Sequence, residues 1–180
     1  MHEIAKKVIE RYINEQKIPT IEELGVQFDE NMNTKDCSFV TLYKDWKVIA
    51  SSWRINIKKP NTITELIENS LFCLKDPRFI EAIKNPLELK KVKFRVDIIK
   101  QDQRKIVNVL DDIDINKQWL VIISQTLWKM WVILPHMVNL VSSPKELFDL
   151  VCLKAWIDQT NLQETDYYLY SIETSEFSDF

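Results

Sequence analysis

The chain has 180 residues, with 24 Lys and Arg against 27 Asp and Glu, a formal charge of −3 and an isoelectric point near 5.5. Its 46% hydrophobic and 28% charged residues, with six Trp, five Tyr and eight Phe, describe one modest globular domain with a real core and exclude intrinsic disorder. Only one glycine is present, Gly25, where average usage of about 7% would give roughly thirteen, so loops that use paired glycines to bring backbone N–H groups up to phosphate are excluded.

From Ile4, the apolar residues Ala5, Val8, Ile9, Tyr12 and Ile13 recur at helical spacing between Lys6, Lys7, Glu10 and Arg11, which predicts an amphipathic opening helix. These charges also exclude a signal peptide, and no apolar run is long enough to cross a bilayer. A polar connection follows to about Cys37. Phe39 to Leu42 and Val48 to Ile57 then read as strands joined at residues 44–47. In the second strand Ile49, Ser51, Trp53, Ile55 and Ile57 share the face expected to be buried.

Thr62 and Glu65 have capping-box spacing, opening a helix with Ile63, Leu66, Ile67, Ser70, Leu71 and Leu74 on one stripe and an end at Asp76-Pro77. Val92, Phe94, Val96 and Ile98 alternate with Lys93, Arg95 and Asp97, which predicts a half-buried strand whose charged face meets solvent. Further strands are expected at Lys105 to Leu110, Trp119 to Ile123 and Met130 to Leu134, the last two as a hairpin. Ser143-Pro144 starts another helix, with Leu147, Phe148, Val151, Cys152, Ala155 and Trp156 lining one side, and a last strand covers about Asp166 to Glu173. Strands that follow one another without intervening helices make an α+β domain of antiparallel sheets with flanking helices, a single domain over residues 1–180.

Chemistry-bearing patterns are sparse. Cys37, Cys73 and Cys152 are odd in number and far apart, which argues for a reducing cytoplasm rather than a disulfide framework. No close pair of metal ligands exists, so no metal site or cofactor is expected; His136 with Cys152 and an aspartate would need chance convergence. Asp111, Asp112 and Asp114 lack the glycine and terminal glutamate of a calcium loop and read as a polar turn. His136 is the single credible general base, but no nucleophile elbow accompanies it. Eight basic residues between Lys84 and Lys105 could face phosphates, yet Lys93 and Arg95 fall on the outward side of an amphipathic strand and the chain is acidic overall, so nucleic acid is not the expected partner. Trp53, Trp119, Trp131 and Trp156 fall on apolar stripes and read as core.

In order along the chain, Ile4-Ala5-Lys6-Lys7-Val8-Ile9, Phe39-Val40-Thr41-Leu42, Asp76-Pro77-Arg78-Phe79, Val92 to Ile99, Ile133-Leu134-Pro135, Cys152-Leu153-Lys154-Ala155 and Phe177-Ser178-Asp179 resemble the landmarks of the AMMECR family. Prokaryotic members are called the A component of the AmmeMemoRadiSam system. The resemblance implies a cytoplasmic α+β protein of two lobes around a cleft. It implies no established activity, and it points to association with Memo-like and radical S-adenosylmethionine proteins.

The family's Leu-Arg-Gly-Cys-Ile-Gly motif maps onto Val48-Ile49-Ala50-Ser51-Ser52-Trp53, and its Lys-Ala-Gly-Leu onto Lys154-Ala155-Trp156-Ile157. Ser51 replaces a thiol with a hydroxyl that stays un-ionised at neutral pH, and Trp53 puts a ring where relatives have glycine, so the cleft is expected to be filled. Asp76, Pro77, Arg78 and Phe79 match intact, with Arg78 the best cationic group for a ligand. The leading expectation is a non-enzymatic accessory or protein-binding module in which Arg78, Asp76 and Trp53 contribute to binding. The alternative is an enzyme or enzyme component in a modification or redox pathway, with Ser51 and His136 as catalytic candidates. Oligomeric state is not encoded in any pattern here.

Overall fold

The computed structural model describes residues 1–25, 32–133, 141–163 and 167–180. It has the expected α+β class: antiparallel strands with helices packed beside them. The chain divides into two compact units, Met1–Ile99 with Ser175–Phe180, and Lys100–Thr174.

In the first unit, α1 (His2–Glu15) buries Ile4, Ala5, Val8 and Ile9, the stripe that the opening periodicity predicts. β1 (Cys37–Lys44), β2 (Lys47–Trp53) and β3 (Lys93–Ile99) pair antiparallel in the order β2-β1-β3. β2 is shorter than expected: its ladder with β1 runs to Trp53, opposite Phe39, and Arg54 onward leaves the sheet. α2 (Thr62–Cys73) packs on β1, on β2 and against α1. Val40, Leu42, Ala50, Phe94, Val96, Ile63 and Leu66 form the centre of this unit's core. Each large aliphatic chain fully removed from water there is worth about 1.5–3 kcal/mol.

The cap of α2 lies one residue earlier than the Thr62/Glu65 reading. Asn61 accepts the Thr64 N–H at 3.1 Å, and the Asn61 N–H reaches back to Thr64 Oγ1 at 3.4 Å. Glu65 is freed for another task. Fully buried, it accepts the Lys58 and Lys59 N–H groups at 3.0 and 3.1 Å and the Arg54 guanidinium at 2.9 Å, tying the segment after β2 onto the helix. α2 then stops at Cys73, and α3 (Pro77–Ala82) begins a new helix with Pro77 in its first turn.

The charged face of β3 corrects the sequence expectation. Arg95 and Asp97 are both buried, and the guanidinium donates to the carboxylate through Nε at 2.9 Å and Nη2 at 2.8 Å. Glu176 lies 3.0 Å from the same Nη2. Burial holds the Asp97 carboxyl above its ordinary range even beside the cation. On Arg95 burial acts downward, but the hydrogen bonds and charge of Asp97 outweigh it and raise the guanidinium's pKa. β3 is thus covered on both faces, and alternation of polar and apolar residues marks two environments, not one core and one solvent side.

The second unit contains β4 (Lys105–Ile106), β5 (Gln118–Ser124), β6 (Lys129–Ile133), α4 (Pro144–Ala155) and the first part of β7 (Tyr167–Ser178). β5 and β6 form the expected hairpin, β5 also pairs with β7, and β4 pairs with β7. The strand expected over Lys105 to Leu110 is reduced to two residues, with a short 3-10 turn at Leu110–Asp112. Ser143 caps α4 by accepting the Glu146 N–H at 3.2 Å, and Leu147, Phe148, Val151, Cys152 and Ala155 enter the core with Leu120, Ile122 and Leu169.

Trp156 does not join them. It sits at the left-handed C-cap of α4 with φ 58°, 83% exposed. Trp131 is also exposed, and of the four tryptophans expected in the core only Trp119 is fully buried, its indole N–H donating to Thr174 Oγ1 at 2.9 Å. A left-handed backbone costs an L-residue about 1–2 kcal/mol, so Trp156→Gly is expected to raise stability by about 1 kcal/mol in urea unfolding. Arg95→Met, which strands a buried carboxylate, is expected to cost about 3–5 kcal/mol in the same assay, with most of it recovered in Arg95→Met/Asp97→Leu.

Candidate functional site

The retained Asp76-Pro77-Arg78-Phe79 stretch and the altered hairpin meet at the free edge of β2. Leu74 to Asp76 turn the chain sharply between α2 and α3, and Asp76 caps α3 by accepting the Arg78 N–H at 3.0 Å. Phe79 is buried and anchors this corner. The same carboxylate accepts the Ser51 N–H at 3.2 Å and two side-chain bonds from Arg78, Nε to Oδ1 at 3.0 Å and Nη2 to Oδ2 at 2.6 Å. Arg78 Nη2 also donates to Ser51 Oγ at 3.1 Å. Ser51, Asp76 and Arg78 therefore converge.

The Arg78 guanidinium holds the Asp76 carboxyl below the usual carboxylate range, with the Arg78 and Ser51 N–H groups acting in the same sense against partial burial. Asp76 in turn raises Arg78. The Arg78 side chain is half exposed, so the pair is screened and its net worth is modest.

Beside this pair lies an open hollow of about 480 Å³, lined by Ser51, Ser52, Trp53, Arg54, Asn69, Phe72, Lys75, Asp76 and Pro77. Trp53 does not fill it, contrary to the sequence expectation. Its ring stacks flat on Phe39, centroids 5.9 Å apart and planes within 3°, and it stays half-buried on the rim. The floor is polar and internally satisfied. Ser52 Oγ donates to Asn69 Oδ1 at 3.1 Å, and Asn69 Nδ2 donates to the Ser38 carbonyl at 3.0 Å. Arg54 is spent on Glu65 and Glu68, while Lys59 holds Glu68 from the other side at 2.6 Å. Lys75 stands over the Phe72 ring at 4.8 Å and carries no ion pair among the described residues.

Sequence reasoning missed Asn69, Phe72 and Lys75. They occupy one side of α2 and its end, and nothing in their spacing connects them to a strand edge twenty residues earlier. Among the described residues no activated nucleophile lines the hollow. Cys73 lies behind it, fully buried, with its thiol 3.7 Å from the Val40 carbonyl and pushed far up by burial. His136 lies outside the described residues. Cys152 is buried in the second unit, where burial and then Asp149 raise its thiol to about 11. Asp111 and Asp112 are exposed around their turn and hold no cluster with Asp114. Among the described residues the one group able to share a cation is His2, Glu3 and Asp179, and there His2 Nε2 lies 3.5 Å from each carboxylate, the arrangement of an ordinary ion pair when the ring is protonated.

A carboxyl held low stabilises the fold above its unfolded pKa, and that stabilisation is lost as pH falls through the folded value. Asp76→Asn keeps the helix cap but loses the ion pair. It is expected to cost about 1 kcal/mol at pH 7, with the difference from wild type closing as the medium is acidified below about pH 4 in melting curves.

Comparison with known proteins bears on the whole chain. No curated protein sequence matches it. An uncharacterized protein of Pyrococcus horikoshii, solved as a crystal structure, superposes with a TM-score of 0.77 over 98% of this chain and 88% of its own, at 15% identity, a likeness of fold alone. The family model described as AMMECR1 matches residues 2–177, and the chain belongs to that family.

Proposed function

We propose that this AMMECR1-family chain is a non-enzymatic accessory module that binds a protein partner at the hollow beside β2. One observation carries the reading. At the position where the resemblance places a reactive cysteine, the Ser51 N–H donates to Asp76 and its hydroxyl oxygen accepts from Arg78. A serine so engaged needs a base to become a nucleophile, and none of the described residues supplies one. What remains accessible is a recognition surface: the Phe72 ring, the Lys75 ammonium and the Trp53 edge around a polar floor. A cytoplasmic setting fits the three buried free thiols. Nucleic acid is disfavoured because Arg95, part of the basic stretch, is withdrawn into ion pairs.

A second reading, an enzyme component of a Memo-like or radical S-adenosylmethionine pathway, draws on the 3.1 Å contact between Arg78 and Ser51. It assigns Ser51 and His136 to the chemistry and Arg78 to an anionic group of the substrate. No helix among the described residues is long and apolar enough to cross a membrane, so neither reading calls on one.

The two are separated by capture from native extract with immobilised wild type and with Phe72→Ser/Lys75→Glu, both changes lying at the exposed rim. The binding reading expects a reproducible protein partner that the double variant retains at least tenfold less. Equal capture by both chains counts against it, and turnover abolished by Ser51→Ala establishes the second reading instead.

A further inference from the structure

Among the described residues, five that are not glycine have a left-handed backbone: Gln16, Asp45, Trp46, Trp128 and Trp156. Three of the six tryptophans are therefore in a region that a few per cent of non-glycine residues visit, and where a bulky side chain is an outlier. At a few per cent each, three in six arises by chance less than roughly once in a thousand. We infer that the protein made in its native cells carries glycine at positions 46, 128 and 156, because the codon written there as tryptophan is decoded as glycine.

Each position has its own local demand for glycine. Asp45 and Trp46 are the two central residues of the β1–β2 hairpin, with φ of 50° and 63°, and Asp-Gly is a favoured pair for such a turn. Trp156 ends α4 where the Ile157 N–H bonds back to the Cys152 carbonyl at 2.9 Å, a closure that calls for glycine at the left-handed residue. Trp128, φ 51°, is the last residue of the β5–β6 loop before the strand resumes.

Packing covers little of any of the three, although Trp46 lies against the Phe180 ring, centroids 5.6 Å apart, and under the Lys93 ammonium at 5.5 Å. Their exposures are 80%, 95% and 83%, whereas the indole is a large apolar group that proteins mostly cover. A docking role would explain the exposure but not the backbone; glycine explains both. It also moves a composition of six Trp and one Gly in 180 residues toward the usual balance. A UGA codon supplies the chemistry of the exchange, since it is read as tryptophan under one reassigned code and as glycine under another.

The test is tandem mass spectrometry of the protein isolated from its native cells, reading peptides that span residues 45–47, 127–129 and 155–157. Glycine at all three is expected, and tryptophan at any of them overturns the inference. A second measurement compares the chain as written with Trp46→Gly/Trp128→Gly/Trp156→Gly, both made in a host with the standard code. The triple variant is expected to melt roughly 5–10 °C higher, and an unchanged or lower melting temperature counts against the inference. The same spectra read position 53, on the rim of the hollow, where loss of the ring would widen the opening.

Discussion

One carboxylate joins three pieces of the first unit. Asp76 caps α3, takes the outward N–H of Ser51 at the edge of β2 and grips Arg78, so the corner between two helices and the margin of a sheet are set by a single side chain. Pro77 supports the geometry because its fixed φ suits the first helical turn and it has no N–H to satisfy there. The short Asp-Pro-Arg-Phe run is therefore architectural before it is anything else, and Asp76 and Pro77 form one border of the hollow next to it.

Much of the fold was legible from periodicity. The apolar stripes of α1, α2 and α4 and the β5–β6 hairpin follow directly from residue spacing, and Ser143 with Pro144 marks its helix start without ambiguity. What failed did so for identifiable reasons. Glu65 had the spacing of a capping residue but was drawn inward, because two backbone N–H groups and Arg54 offered it a fully satisfied buried place. Arg95 and Asp97 had the look of a solvent face because a strand pattern reports alternation, and cannot say that the polar side is itself covered. Trp156 fell on an apolar stripe, but the helix ended at that residue and turned it outward.

For the candidate site, the sequence supplied Ser51, Asp76 and Arg78 through a resemblance in motif order, and their convergence is a matter of long-range strand and helix placement. Asn69, Phe72 and Lys75 had no such signal, since a helix face reveals which residues share it and not what it will be set against. The hairpin next to them keeps polar atoms beside an open surface.

The last six residues belong to the unit that begins the chain. Asp179 exchanges bonds with Phe94 through both backbone and side chain, and Glu176 completes the buried pair on β3. During synthesis the amino-terminal unit emerges early but lacks Glu176 and Asp179 until residues 100–174 have been made. The β2-β1-β3 ladder and the Arg95–Asp97 pair lie within the first hundred residues, but Glu176 and Asp179 reach them only after the whole second unit has been made, so this unit is completed after the one that follows it in the chain.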